Sequence, residues 1–243
     1  MSIKVSTEDG VLSLTLNRPD KKNALNKQMY QQLVQQLQQA AQDDAVNVVL
    51  LQGSAECFSS GNDLADFLQS GELNDTHPTV MFLYEMAKFP KPVVAAVAGL
   101  AIGIGTTVLL HCDLVYSTAD CRFQLPFTQL GLCPEAGSSL LLPLLIGHQR
   151  ASSLLLLSEA IDGNEAWRIG LVNQLVAKEE VLEFALNKAR KLAALPTDAV
   201  QSSKKLMKTG SAVQQTIALE LVDFSRLLQG PDCQRVIQQF FRG

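Results

Sequence analysis

"KPVVAAVAGLAIGIGTTVLLHCDLVYSTADCRFQLPF", Lys91 to Phe127, is the stretch that decides the fold class. Val93 to Val97 is a short, unbroken apolar run, the pattern of a strand buried on both faces. Gly99, Gly103 and Gly105 then punctuate a turn that runs into a helix of about two to three turns at ordinary pitch. Asp113 to Ser117 returns as a strand. Strand, glycine turn, helix and strand in that order make an α/β unit.

The same grammar extends outward. Val11 to Leu16 reads as a strand, and a turn with Pro19 and two lysines follows. Lys27 to Ala41 reads as an amphipathic helix with Leu33, Val34, Leu37, Ala40 and Ala41 on one face. Its glutamines are the solvated face. Val46 to Leu51 is a second buried strand, and a helix over His77 to Lys88 ends at "FPKP". From Ser138 the chain is mostly helical, interrupted by a short strand near Leu171 to Val176. Pro143, Gly147 and His148-Gln149-Arg150 cut the apolar run Ser138 to Leu157 into pieces too short to span a bilayer. Three final helices lie near Val181–Ala194, Asp198–Met207 and Ser211–Leu228. The division expected is a core over residues 1–195 and a helical region over 196–243.

With 243 residues and 47% apolar composition, the chain buries a core without disulfides. A net charge of −4 argues against nucleic-acid binding, which needs dense cationic surface. Five cysteines without a C-x-x-C pair, and three histidines far apart, argue for reduced thiols and no metal site. The N-terminus has neither signal nor transit character, so a cytoplasmic location is expected.

P-loop, G-x-S-x-G, H-E-x-x-H and dinucleotide fingerprints are missing. Two glycine turns carry more interest: "SSGND", Ser59 to Asp63, and "AIGIGTT", Ala101 to Thr107. Each follows a buried strand. Two readings compete. They are tight turns only, or their backbone N–H groups converge as an oxyanion hole. Glu135, in "LGLCPEAGSS", also has two readings. After Pro134 it is a routine helix-start acid. Among Leu130, Leu132, Cys133 and Leu140 to Leu142, its pKa would rise and suit proton transfer. Asp113 reads as structural, His111 as a hydrogen-bonded core histidine, and Lys204 and Lys205 as a solvated face. Asp66 and Glu72 border the first glycine turn without a specific signal.

Taken with "LNRPDKKNALN", "CFSSGNDLADF" and "GLCPEAGSS", the opening stretch resembles the crotonase (enoyl-CoA hydratase/isomerase) superfamily, from about Val11 to Gly230. Within it, "SSGNDL" and "PF-x-x-LG-x-x-PE" are most similar to the peroxisomal-type monofunctional Δ3,Δ2-enoyl-CoA isomerases. The resemblance implies a spiral of ββα units with a C-terminal helical trimerisation region, assembled as a homotrimer or a dimer of trimers. It implies an acyl-CoA thioester as substrate, with no further cofactor and no metal. It places the oxyanion donors at the backbone N–H groups of Asn62 and Ile104. Lys22, Ala24, Leu25, Ser60 and Gly61 fall at the CoA-binding positions. Leu64, Phe67, Phe127 and Leu132 fall at the acyl pocket, with Phe82 to Met86 a further expected part of it. Both hydratase glutamates are replaced, the first by Thr107 and the second by Phe127. The isomerase glutamate falls on Glu135. The implied activity is therefore a single-glutamate shift of the double bond from 3-enoyl-CoA to 2-trans-enoyl-CoA. A hydrolase or weak hydratase acting on another acyl-CoA, and a non-catalytic acyl-CoA-binding protein, are the alternatives.

Overall fold

The computed structural model describes residues 2–68, 73–208 and 210–242. Glu72, named above as a pocket-border residue, lies outside them. In chain order the elements are β1 (Ile3–Glu8), β2 (Val11–Leu16), α1 (Lys27–Gln42), β3 (Val48–Gln52), α2 (Leu64–Leu68), α3 (Pro78–Lys88), β4 (Val93–Val97) and β5 (Leu100–Ile102). Then come α4 (Ile104–Thr107), β6 (Leu114–Ser117), β7 (Arg122–Gln124), α5 (Ser138–Ile146), α6 (His148–Leu156), α7 (Gly163–Arg168) and β8 (Gln174–Leu175). The chain closes with α8 (Val181–Ala193), α9 (Thr197–Met207), α10 (Gly210–Leu228) and α11 (Pro231–Arg242).

One sheet runs β1-β2-β3-β4-β6-β8. β1 and β2 are antiparallel, and the other neighbours are parallel. A second layer crosses it. There β5 pairs with β7, Ser59 bridges to Ala101, and Leu25 bridges to Asn62. Each long strand thus leads to a short segment of the second layer and then to a helix. β2 leads to Leu25 and α1, β3 to Ser59–Asn62 and α2, and β4 to β5 and α4. That is the ββα spiral, repeated in space with no repeat in sequence.

The unbroken apolar runs have a direct cause. Val49 and Leu51 of β3 face a core shared with α1 and α3, while Val48 and Leu50 face α8. A strand with a core on each side has no polar face to alternate. α8 meets the sheet through Val181, Ala185, Ala189 and Ala193, small residues at helical spacing that let it lie close. α1 is capped by Asn26, whose Oδ1 accepts from the Met29 N–H at 3.0 Å. Its buried face adds Met29 and Tyr30 to Leu33, Val34, Leu37 and Ala40.

Several boundaries move. The helix after the glycine turn is one α turn, Ile104–Thr107, continued as a 3-10 turn over Val108–His111. Pro143 stays inside α5, and the break falls at Gly147, whose φ of +84° a side chain resists. The expected strand near Leu171 to Val176 shrinks to β8, and Val46 belongs to a turn before β3. Lys204 is not on a solvated face. It is 3% exposed, and its ammonium donates to Asp113 Oδ2 at 2.7 Å and to the Lys91 carbonyl at 2.5 Å. Asp113 also accepts from the Val93 N–H at 2.7 Å, so this pair ties α9 to β4. No helix among the described residues is long and apolar enough to cross a membrane.

Candidate active site

The two glycine turns meet where the second layer ends. Leu25 holds the first turn by accepting from the Asp63 N–H and donating to the Gly61 carbonyl, at 2.9 and 2.8 Å. This pairing leaves the intervening Asn62 N–H directed to the opposite side, toward the chain after Ile102. Ile104 opens α4, where its own N–H has no intrahelical acceptor. Glycine is required at both contacts. A Cβ on Gly61, at φ +97°, would come within 2.8 Å of the Ile102 carbonyl oxygen. A Cβ on Gly105 would come within 2.9 Å of the Ser59 carbonyl oxygen. The Asn62 side chain is held as well, since the buried Tyr30 hydroxyl donates to its Oδ1 at 2.5 Å. Burial first, then the charges of Glu135 and Asp66, keeps that phenol protonated.

A cleft of about 730 Å³ lies over these turns. Lys22, Ala24, Ser60, Gly61, Asn62, Leu64, Phe67, Ile104, Phe127 and Leu132 all line it, which brings most of the expected site residues together. Asp20, Lys21 and Asp63 add charge to its wall, and Leu130 and Phe224 add apolar surface. Leu25 does not line it. Its side chain is buried in the core, and its main chain supports the turn. Phe82 and Met86 also face the core, where Phe82 packs on Tyr30 with ring centroids 5.5 Å apart. Asp66 accepts from the Lys27 N–H at 2.7 Å, linking α2 to the start of α1.

The lysine loop is knotted to the first turn. Arg18 donates to Asp63 at 2.6 Å and to the Ala24 carbonyl at 3.1 Å. Lys22 and Asn23 both have positive φ, and the buried Asn23 amide donates to the Cys57 carbonyl at 2.9 Å. Lys22 accepts from the Ser60 N–H through its carbonyl, at 2.9 Å. The lysine loop is thereby fixed against the first glycine turn.

Glu135 is 5% exposed and stands behind this wall rather than lining the cleft. Its Oε1 accepts from the Thr107 hydroxyl at 2.5 Å, one turn beyond Ile104 on α4. Burial pushes its pKa up to about 8, against the Thr107 hydrogen bond and with help from the charge of Glu220. Its side chain does not cap α5. Glu220 of α10 does that, accepting from the Gly137 N–H at 2.6 Å and the Ser139 N–H at 2.9 Å. The helix-start role therefore belongs to another residue, and the Glu135 carboxyl is left in an apolar site.

Thr107, Tyr30, Glu220 and Phe224 were not among the expected site residues. Two of them carried a signal. Val213, Ile217, Phe224 and Leu228 form a buried stripe along α10, and Glu220 sits within it as a misplaced charge. Phe224 belongs to that stripe, and its ring meets Phe67 edge-on, 5.8 Å between centroids. Thr107 was marked only as the position of a replaced hydratase glutamate, and Tyr30 by nothing, because their distant partners Glu135 and Asn62 are what distinguish them.

The chain matches the family described as enoyl-CoA hydratase/isomerase over residues 6–241. It is 35% identical to the 2,3-dehydroadipyl-CoA hydratase of Escherichia coli, over 98% of this chain and 94% of that protein. It is also 35% identical to enoyl-CoA delta isomerase 2 of Rattus norvegicus, over 85% of this chain but only 54% of the rat protein. Among solved structures, Pseudomonas aeruginosa OdaA superposes with a TM-score of 0.97 at 43% identity, covering 100% of this chain and 99% of that one.

Proposed function

Since this chain belongs to the crotonase, or enoyl-CoA hydratase/isomerase, family of acyl-CoA enzymes, we propose that it is a Δ3,Δ2-enoyl-CoA isomerase using Glu135 as its single acid–base group. The observation that carries this reading is the Thr107–Glu135 pair. The position matched to the first hydratase glutamate holds a hydroxyl, and that hydroxyl serves a carboxyl whose pKa burial pushes up to about 8. Phe127, at the second hydratase position, is an apolar part of the wall.

The thioester oxygen of a 3-enoyl-CoA lies against the Asn62 and Ile104 N–H groups. The Glu135 side chain turns from Thr107 toward the substrate and removes a proton from C2. Negative charge passes to the thioester oxygen, where each N–H is worth about 3–4 kcal/mol to the transition state. The protonated Glu135 then delivers the proton to C4, and the double bond ends conjugated with the thioester. A carboxyl with a pKa near 8 is weak enough as an acid to take the proton and strong enough to return it. The apolar wall of Phe67, Phe127, Leu132 and Phe224 excludes the water that would compete. Lys22 receives the CoA phosphates by charge, beside Ser60 and Gly61, whose own N–H groups are taken by the Lys22 carbonyl and the Ser59 hydroxyl.

Leu206, Met207, Leu219 and Val222 on α9 and α10 are exposed apolar residues, which supports a homotrimer or dimer of trimers built through this region. A second reading, hydration, is favoured by the hydratase from Escherichia coli, which this chain spans almost completely. Product identity separates the two. Purified protein given 3-enoyl-CoA should accumulate the conjugated 2-trans-enoyl thioester. Water addition to supplied 2-trans-enoyl-CoA, giving the 3-hydroxyacyl thioester, with no conversion of 3-enoyl-CoA, would support the second reading.

A further inference from the structure

The peptide unit that joins Ala136 to Gly137 is gripped at both ends. Its carbonyl oxygen accepts from Nε2 of His111 at 2.7 Å, and its N–H donates to Oε2 of Glu220 at 2.6 Å. Oε1 of Glu220 also accepts from the Ser139 N–H at 2.9 Å and the Ser139 hydroxyl at 2.5 Å. Ala136 and Gly137 are both left-handed, with φ of +61° and +71°. A residue with a Cβ holds that conformation only when its surroundings impose it. Glu135 immediately precedes this turn, so the grip fixes the direction in which its side chain leaves the backbone.

Glu220 reaches the turn across 83 residues of chain. It is 9% exposed and lies in a stripe that packing would fill with an apolar side chain. Burial pushes its pKa up from the ordinary carboxylate value, and the donors from Gly137 and Ser139 arrayed on its two oxygens work against that shift, in favour of the carboxylate form. We propose that Glu220 is the positioning residue of this site: an anionic clamp from the C-terminal region that holds the Glu135 turn left-handed and sets a like charge behind the Glu135 carboxyl. This inference rests on Glu135 being the proton-transferring group.

The surroundings agree. Thr107 of α4 faces Glu135 with a hydroxyl, and Tyr30 of α1, whose hydroxyl donates to Asn62, is kept protonated by burial and then by the charges of Glu135 and Asp66. His111, its pKa pressed to about 4 by burial, is neutral and donates through Nε2. Lys204 and Lys208 act on His111, and Asp223 and Arg226 act on Cys133 beside Glu220. Of the charged groups on these elements, Glu220 is the one that bears on Glu135, and it raises its proton affinity.

The test is a titration of the Glu135 carboxyl by 13C NMR in the intact chain, paired with pH–rate profiles on 3-enoyl-CoA. Glu220→Gln keeps the shape, removes the charge and turns one of the two accepting oxygens into an N–H donor, so one end of the grip is lost with the charge. The Glu135 midpoint should fall by on the order of one pH unit, and the acid limb of kcat/KM should move with it. Glu220→Asp keeps the charge and shortens the reach. Its midpoint should stay near wild type while kcat falls at least about tenfold with KM little changed. A Glu220→Gln midpoint at the wild-type value, or a Glu220→Asp kcat within about twofold of wild type, overturns the clamp. Should Glu220→Gln fail to fold, the Asp variant decides alone. The NMR midpoint needs no turnover, so an inactive wild-type protein overturns the isomerase reading while the clamp is still judged by the titration.

Discussion

The Thr107 hydroxyl lies 2.5 Å from Oε1 of Glu135, and both residues are buried. The bond ties the second glycine turn to the loop after Pro134. It favours the ionised form of Glu135, so it opposes the effect of burial. Thr107→Val keeps the shape and removes the donor. The Glu135 pKa should then rise further above 8, and the acid limb of kcat/KM should move to higher pH. At pH 7 the rate should fall several-fold while CoA affinity is unchanged. A limb that moves to lower pH would show that the hydroxyl does not serve the carboxylate.

Glu135 also links stability to pH. Its folded-state pKa of about 8 lies above the ordinary value of 4.5, so the folded protein binds the proton more tightly than the unfolded chain. Stability should therefore decline as pH rises from 4.5 to 8, and the loss is complete above the folded pKa. Glu135→Gln removes this penalty. By calorimetry the variant should gain on wild type between pH 5 and pH 8, by at most a few kcal/mol. A constant difference in Tm across that range would contradict a buried, proton-holding Glu135.

Gly61→Ala tests the backbone donors. At φ +97°, with the Ile102 carbonyl oxygen 2.8 Å from the new Cβ, the turn must shift. The shift moves the Asn62 N–H relative to that of Ile104. kcat should fall on the order of 10²-fold, since a displacement of about 1 Å at the reacting centre costs that much. KM should change far less. An equal effect on both parameters would point to lost binding instead.

Lys204→Ala leaves the half-buried Asp113 beside β4 with the Val93 N–H as its remaining partner among the described residues. Removing one partner of a buried ion pair costs about 3–5 kcal/mol. Denaturant unfolding should show a loss at the lower end of that range, because the Asp113 side chain is 18% exposed.

Much of this was legible in the sequence, for identifiable reasons. β4 and α1 were recognisable because apolar runs and helical spacing are local signals. Both glycine turns were too, since their glycines mark close backbone approaches at Gly61 and Gly105. β5 and β7 were missed because three residues hold no periodicity. α11 begins with Pro231 at its first turn, a start signal that the three expected C-terminal helices left unused. Lys204 was misread because a lysine on a helix is ordinarily solvated, and its burial depends on two distant partners, the Asp113 carboxylate and the Lys91 carbonyl. For Glu135 the sequence offered two roles, and the missing fact was a distant one: Glu220, from α10, takes the cap.

The most direct test of single-base catalysis is turnover of 3-enoyl-CoA by Glu135→Gln at saturating substrate. Glutamine fills the same space and accepts from Thr107, yet it cannot carry the proton from C2 to C4. A single-glutamate mechanism predicts a fall in kcat of at least about 10³-fold with acyl-CoA binding retained. A variant that isomerises at close to the wild-type rate would contradict it.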